Sequence, residues 1–269
     1  MGLYRLGKRV VPHEWKVSMR STKTLPKDVA VRVWNRLTGG IPLPPGELIH
    51  LVSGHRSPSR FLRRGRVVSK TIRETLDMNG LEIERLHAIL DFGCGVGRVM
   101  RHWNLLLNAA LHGTDYNPTL VEWCKENLKF AEFRVNADSG GLRYESGTFD
   151  FIYAFSVFTH FSEPLQLFWI NELSRVLKPG GHIYFTTHGD YFFPQLSVEE
   201  KNRFLNGELV VRGAEHSGSN TCAAYHPPAY VRENMARDFS MMDFIPGRVE
   251  GDLLHDIYLF KKPARGSVY

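Results

Sequence analysis

"ILDFGCGVGRVMRHW", residues 89–103, runs an apolar stretch into three glycines at alternate positions and then resumes with helix-like spacing. A strand that gives way to bare backbone just before a helix is where an open α/β sheet takes its ligand. Backbone N–H groups and a helix N-terminus converge there, beyond the strand's C-terminal end. The spacing narrows the choice. G-x-G-x-x-G would rest a pyrophosphate on the helix end and G-K-[ST] would mark a phosphate loop, and this stretch has neither. Asp91 stands before Gly93, Gly95 and Gly97 instead, a carboxylate beside a turn that something approaches closely.

Outward from that turn, strand and helix patterns take turns. "ALHGTD" (110–115), "FRVNAD" (133–138), "FDFIYAFS" (149–156) and "HIYFTTH" (182–188) read as short buried strands. Between them the spacing predicts a helix over 98–107 with Val99, Trp103 and Leu106 on one face, and another over 118–128, capped by Asn117 and opened by Pro118. A third, from Glu163, turns Leu165, Phe168, Trp169, Leu173 and Val176 inward and is stopped by Pro179-Gly180-Gly181. Upstream, 57–79 predicts a helix with Ser59 as N-cap, Gly80 past its end and Gly65 as its weak point. Downstream, 197–207 carries a capping box, Ser197 with Glu200, and 208–212 suits a short strand. Residues 227–239 suit a helix opened by prolines, and "MMDFIPGRV" (241–249) with "HDIYLFKK" (255–262) suits an antiparallel pair. Alternation of this kind is the mark of a mainly parallel sheet covered on both faces.

The 269 residues suit one large domain, 57–265, with an extension over 1–56 whose Gly39-Gly40 and "IPLPPGE" predict loop with little regular packing. Charge divides similarly: residues 1–70 hold fifteen Lys/Arg against three acids, and the rest nineteen against twenty-five. Such a basic arm suits nucleic acid, an anionic membrane surface, an acidic substrate, or the acidic remainder of its own chain. No run is long and apolar enough for a transmembrane helix, and no secretory leader is visible, so a cytoplasmic protein is expected. Cys94, Cys124 and Cys222 have no CxxC spacing, which argues for reduced thiols and against a thiolate metal site.

"LDFGCGVGR" (90–98) resembles the first motif of the class I S-adenosylmethionine-dependent methyltransferases. "GTDYNP" (113–118) resembles the family's second-strand acid, "NAD" (136–138) its third-strand end, "FDFIYAFSVFTHF" (149–161) its fourth strand and "LSRVLKPGGHIYFTT" (173–187) its fifth with the preceding helix. The matches stand in order across about 86–188. The resemblance implies a Rossmann-like α/β fold, a mainly parallel seven-stranded sheet with an antiparallel C-terminal strand. The methyltransferase domain would then comprise the helix 57–79, a cofactor half 86–188, a substrate cap 189–228, and a C-terminal helix and strand pair 229–262.

It implies S-adenosylmethionine as cofactor, which offers a carboxylate, an ammonium, a ribose diol, an adenine and a sulfonium, and no phosphate. Gly93, Gly95 and Gly97 would let the chain pass against its amino-acid and ribose portion, and Asp91 would face the ammonium. Asp115 would take both ribose hydroxyls. Tyr116 would lie against the adenine, Asp138 would read its amino group, and Phe155 would flank the ring or the sulfonium. Each has a structural alternative: Asp115 as a helix cap, Asp138 as a turn acceptor, the aromatics as core. A general base near neutral pKa helps if the acceptor is a hydroxyl. His188 and His160 stand after the fifth and fourth strands, with His226 and His255 as further candidates.

No metal is implied, because Ala154-Phe155 replaces the Asp of magnesium-dependent relatives. The Asn/Asp-Pro-Pro-aromatic signature of many base N-methylating enzymes is replaced by Ala154-Phe155-Ser156-Val157. The expectation is O-methylation of a small organic acceptor. An RNA or protein methyltransferase gripping its partner with the basic arm is one alternative, and a silent methyltransferase-fold scaffold another.

Overall fold

The computed structural model describes residues 4–6, 9–11, 26–37, 39–136, 140–247 and 254–264. A hairpin of β1 (Tyr4–Leu6) and β2 (Arg9–Val11) comes first, followed by α1 (Pro26–Leu37), α2 (Gly46–Ser53) and α3 (Pro58–Met78). The alternating part has β3 (Ala88–Phe92), β4 (Ala110–Asp115), α4 (Pro118–Asn127), β5 (Glu132–Val135), β6 (Phe149–Ala154), α5 (Glu163–Val176) and β7 (Leu177–Thr187). A cap of α6 (Val198–Leu205), β8 (Val210–Arg212) and β9 (Ala223–Tyr225) leads to α7 (Pro228–Tyr230), β10 (Ser240–Ile245) and β11 (Asp256–Lys261).

Seven strands form one sheet in the order β10-β11-β7-β6-β3-β4-β5. Neighbours from β7 to β5 are parallel, and β11 is antiparallel to both β7 and β10. This is the seven-stranded class I architecture that the motifs implied. Successive side chains on a strand point to opposite faces, so β3 divides its residues between two layers. Ile89 joins Phe61, Val68, Ile72 and Leu76 of α3 and Val121 and Cys124 of α4. Leu90 and Phe92 join Trp169, Ile170, Leu173 and Val176 of α5.

Several local expectations differ from what the chain does. Helix α3 is capped by Ser57, whose hydroxyl accepts from the Arg60 N–H, while Ser59 turns to Asp28. The breaker-rich segment contains α1 and α2, and Ile49 of α2 is fully buried in the core. Residues 98–107 make only a 3-10 turn, Met100–His102, because the side chains there bond to distant partners. Arg101 donates to the Ile41 and Pro42 carbonyls, and Trp103 Nε1 to the Tyr153 hydroxyl. Phe168 is 38% exposed rather than inward. The stretch Pro179–Gly181 lies within extended β7, the helix having ended at Val176.

Gly65 is a close approach more than a weak point. A Cβ there would overlap the Arg98 carbonyl oxygen, a backbone atom with no freedom to move aside. Glycine in a helix costs about 1 kcal/mol, while Phe61, Val68, Ile72 and Leu76, all buried, each contribute about 1.5–3 kcal/mol. The helix therefore tolerates its glycine. Gly65→Ala is expected to lower stability by about 1–3 kcal/mol through overpacking, read as a lower denaturation midpoint at unchanged slope. An unchanged or raised midpoint would show that propensity outweighs the approach.

Candidate active site

Beyond the C-terminal ends of β3, β4 and β6 lies a cavity of about 500 Å³. Phe92, Gly93 and Gly95 line it beside β3, with Asp115, Tyr116 and Asn136 at one end and Phe155, Ser156 and His160 at another. Residues 217–220 of the cap close over it, and Asn220 Nδ2 donates to the Leu51 carbonyl of α2 at 3.0 Å. A larger hollow of about 770 Å³ between α1 and Asn127 lies away from the strand ends and has neither an acid nor a histidine in its wall. The smaller cavity brings together the glycine turn, Asp115 and His160.

The three glycines have φ of +77°, +56° and +68°, the left-handed region that side chains resist. What comes close to them is the protein itself. A Cβ on Gly93 would meet Val157, one on Gly95 would stand 2.8 Å from Val52, and one on Gly97 would meet Leu128. Gly93 and Gly95 face the cavity as well, whereas Gly97 does not line it. Cys94, between them, is buried, and its thiol is raised well above the ordinary range by the neighbouring Cys124 and by burial, so it is inert as a nucleophile.

Asp115 caps the turn from below. Its Oδ2 accepts from the Gly95 N–H and its Oδ1 from the Asn117 N–H, both at 2.9 Å, so each oxygen keeps one lone pair. Burial raises its pKa to about 6. Asp91 lies beneath the turn, 3% exposed, and burial raises it to about 7 against the opposing hydrogen bond from Tyr153. Its Oδ2 is buried with no partner, as are Asn136 Oδ1 and Arg98 Nε. Asn136 and Arg98 line the cavity and Asp91 lies behind its wall; buried acceptors and a donor left unpaired there are what a ligand with an ammonium, hydroxyls and a carboxylate would satisfy. S-adenosylmethionine carries all three, and the donor set fits it.

Tyr116 and Phe155 both line the cavity, and the Arg98 guanidinium lies 5.8 Å over the Phe155 ring. Asp138 falls outside the described residues. Ser156 holds a φ of +59°, the one such value among the described non-glycine residues, with its N–H on Thr186 Oγ1 at 2.9 Å. The strain sits in the cavity wall, where it directs the chain after β6 toward His160.

The histidines separate. His160 lines the cavity, and its Nδ1 lies 2.9 Å from the Cys222 carbonyl. A carbonyl only accepts, so Nδ1 carries the proton and Nε2 keeps its lone pair; burial lowers the pKa. His188 does not line the cavity. It is held by the Ala224 carbonyl at 3.2 Å, packs 4.2 Å from the Phe192 ring, and is driven to about 4 by burial. His226 is fully buried on Gln166, and His255 stacks on Phe155 at 5.6 Å. Arg98 and Asn136 escaped the sequence reading. "GVGR" and "VNAD" held them in view, but only their unpaired buried atoms distinguish them from ordinary strand-end residues.

Residues 90–185 match a family model described as a methyltransferase domain. The tRNA N(3)-methylcytidine methyltransferase trm140 of Schizosaccharomyces pombe is 29% identical over 170 residues, 59% of this chain and 54% of that protein. A malonyl-[acyl-carrier protein] O-methyltransferase of Enterobacter lignolyticus is 29% identical over 141 residues, 49% of this chain and 55% of its own. The chain thus spans little more than half the length of either relative. Among solved structures, a SAM-dependent methyltransferase of Methanosarcina mazei superposes with a TM-score of 0.52 at 22% identity, over 70% of this chain and 97% of that one. At that identity the likeness is one of fold. Among the described residues no group of three or more His, Cys, Asp and Glu is placed to hold a metal ion, and no helix is long and apolar enough to cross a membrane. Sheet order, glycine turn and family model agree on a methyltransferase domain over residues 90–185, built on the fold of the class I S-adenosylmethionine-dependent methyltransferases.

Proposed function

We propose that this chain methylates an oxygen of a small organic acceptor, with S-adenosylmethionine as donor and His160 as general base. The observation that carries this is the shared cavity: Asp115, the glycine turn and His160 border one space of about 500 Å³, roofed by residues 217–220. S-adenosylmethionine, when bound, supplies an electrophilic methyl on a sulfonium. Asp115 holds the ribose hydroxyls through its two remaining lone pairs, and Asn136 Oδ1 offers a further acceptor nearby. Asp91 faces the ammonium and Arg98 the carboxylate. Phe155 keeps water from the reacting centre and turns a π-face toward positive charge. His160 Nε2 takes the acceptor's proton while the Cys222 carbonyl steadies the ring through Nδ1.

A nucleic-acid acceptor is the second reading. The tRNA-methylating relatives favour it, as does the excess of fifteen basic over three acidic residues in 1–70. Binding that falls steeply with salt would separate it from the first.

The test is calorimetric titration with S-adenosylmethionine and with its demethylated product, followed by radiolabelled methyl transfer to a panel of hydroxylated acceptors. Failure of the folded, ligand-free protein to bind either would end the enzyme reading. The pH dependence is specific. Asp91 must be ionised to meet an ammonium, and burial holds its pKa at about 7. Affinity is therefore expected to weaken by up to about tenfold per unit as pH falls below that value. Asp91→Asn should flatten this slope, and an unchanged slope in that variant would remove Asp91 from the ammonium.

A further inference from the structure

The strained end of β6 is held from two strands away. Ser156 keeps its φ of +59° although a Cβ disfavours that region, and its N–H donates to Thr186 Oγ1 at 2.9 Å. Thr186 Oγ1 lies in turn 3.2 Å from His255 Nδ1. The sheet explains the alignment. Strand β7 stands between β6 and β11, with Ala154 paired to Phe185 on one side and Asp256 to Thr187 on the other. The Thr186 hydroxyl thereby meets both the chain just after β6 and the residue just before β11.

The protons along this line are determined. A backbone N–H only donates, so Thr186 Oγ1 accepts from Ser156 and must send its own hydrogen elsewhere. Thr186 is fully buried, and His255 Nδ1 is the acceptor within its reach among the described residues. Burial holds the His255 pKa well below the ordinary range, so the ring is neutral, with its proton on Nε2 and a lone pair on Nδ1. Donating onward polarises the hydroxyl and strengthens the bond it accepts. The His255 ring is itself fixed. It stacks on Phe155 with centroids 5.6 Å apart and 24° between the planes, and it meets His188 at 4.9 Å and Phe192 at 5.8 Å. Phe155 and Ser156 line the cavity, whereas Thr186 and His255 stand behind it and outside the residues that the family model matches.

We propose that His255 is a positioning residue of the cofactor site: by accepting from the Thr186 hydroxyl it holds Ser156 in its strained conformation and so keeps Phe155 and Ser156 in the cavity wall. This rests on the cofactor site proposed above, and it adds to that site a residue from the turn before β11 that acts through another side chain. Without the acceptor, the chain after β6 is free to relax to negative φ, and the wall moves with it.

The experiment measures the affinity of the full chain for S-adenosylhomocysteine by calorimetry, below the melting point of every variant. Thr186→Val keeps the shape and loses the hydroxyl, and His255→Phe keeps the ring and loses the acceptor. Each is expected to weaken binding about tenfold, which is about 1.4 kcal/mol. His255→Asn retains an acceptor near the place of Nδ1 and should stay within about threefold of the wild type. Ser156→Gly supplies the readout that a merely structural role would not move, because glycine enters the positive-φ region freely. In that background the loss caused by Thr186→Val should shrink to about threefold or less, the mark of coupled positions. The same loss in both backgrounds, equal losses in His255→Asn and His255→Phe, or wild-type affinity in folded Thr186→Val overturns the proposal while leaving the cofactor reading standing. Failure of the wild-type chain to bind S-adenosylhomocysteine overturns both.

Discussion

His160→Ala is expected to lower the turnover number by about 10²–10⁴-fold while leaving cofactor affinity within a few-fold of the wild type. Among the histidines beside the sheet, His160 lines the cavity, and the Cys222 carbonyl at 2.9 Å fixes its proton on Nδ1. Burial lowers its pKa, so the ring is neutral and able to accept at physiological pH. The same carbonyl is placed to stabilise the imidazolium formed by proton transfer. Single-turnover rates with a hydroxylated acceptor measure the effect apart from product release. His188→Ala makes the contrast. It removes a ring packed on Phe192 and Tyr225 and bonded to Ala224, so its expected effect is on the melting temperature. A His160→Ala variant that turns over at the wild-type rate would mean that the nucleophile needs no base.

Asp115→Ala is expected to weaken cofactor binding by about 10²–10⁴-fold. Hydrogen bonds to a charged acceptor are each worth about 1.5–3 kcal/mol, and two ribose hydroxyls would lose theirs together. The variant also strips the Gly95 and Asn117 N–H groups of their acceptor, both inside the turn that shapes the cavity. Asp115→Asn keeps the shape and one acceptor oxygen and should fall between. Calorimetry below the melting point of the weakest variant separates affinity from stability. Wild-type affinity in folded Asp115→Ala would detach the ribose from β4.

Strands were legible because buried parallel strands are short apolar runs with strong punctuation, and their assembly into one seven-stranded sheet came from the family resemblance. Asn117-Pro118 caps and opens α4 just as the sequence spells it, and Ser197 with Glu200 closes a capping box at α6. What was not legible depends on partners far along the chain. The helical spacing of Val99, Trp103 and Leu106 is real, yet Arg101 and Trp103 are drawn to Ile41, Pro42 and Tyr153, and the segment tightens to one 3-10 turn. His160 and His188 look equivalent in sequence, each just after a strand. Which one meets the cavity is settled by cap residues that hold each from a distance of more than thirty positions. The glycines pointed correctly to close approach. Much of what approaches is Val52, Val157 and Leu128, which no local pattern reveals.

The bond from Asn220 to Leu51 joins residues 169 positions apart. Closing a chain loop of that size costs about 4–5 kcal/mol in entropy, while one neutral hydrogen bond returns about 1 kcal/mol net. The roof is therefore an outcome of the finished fold rather than its cause. A nascent chain emerging at about 5–20 residues per second displays the glycine turn, Asp115 and His160 long before Asn220 is made. Capacity to hold a ligand arrives late and cooperatively, and a truncation at the end of β7 would remove β10 and β11 along with the roof, leaving the five parallel strands with a bare β7 edge and an open cradle.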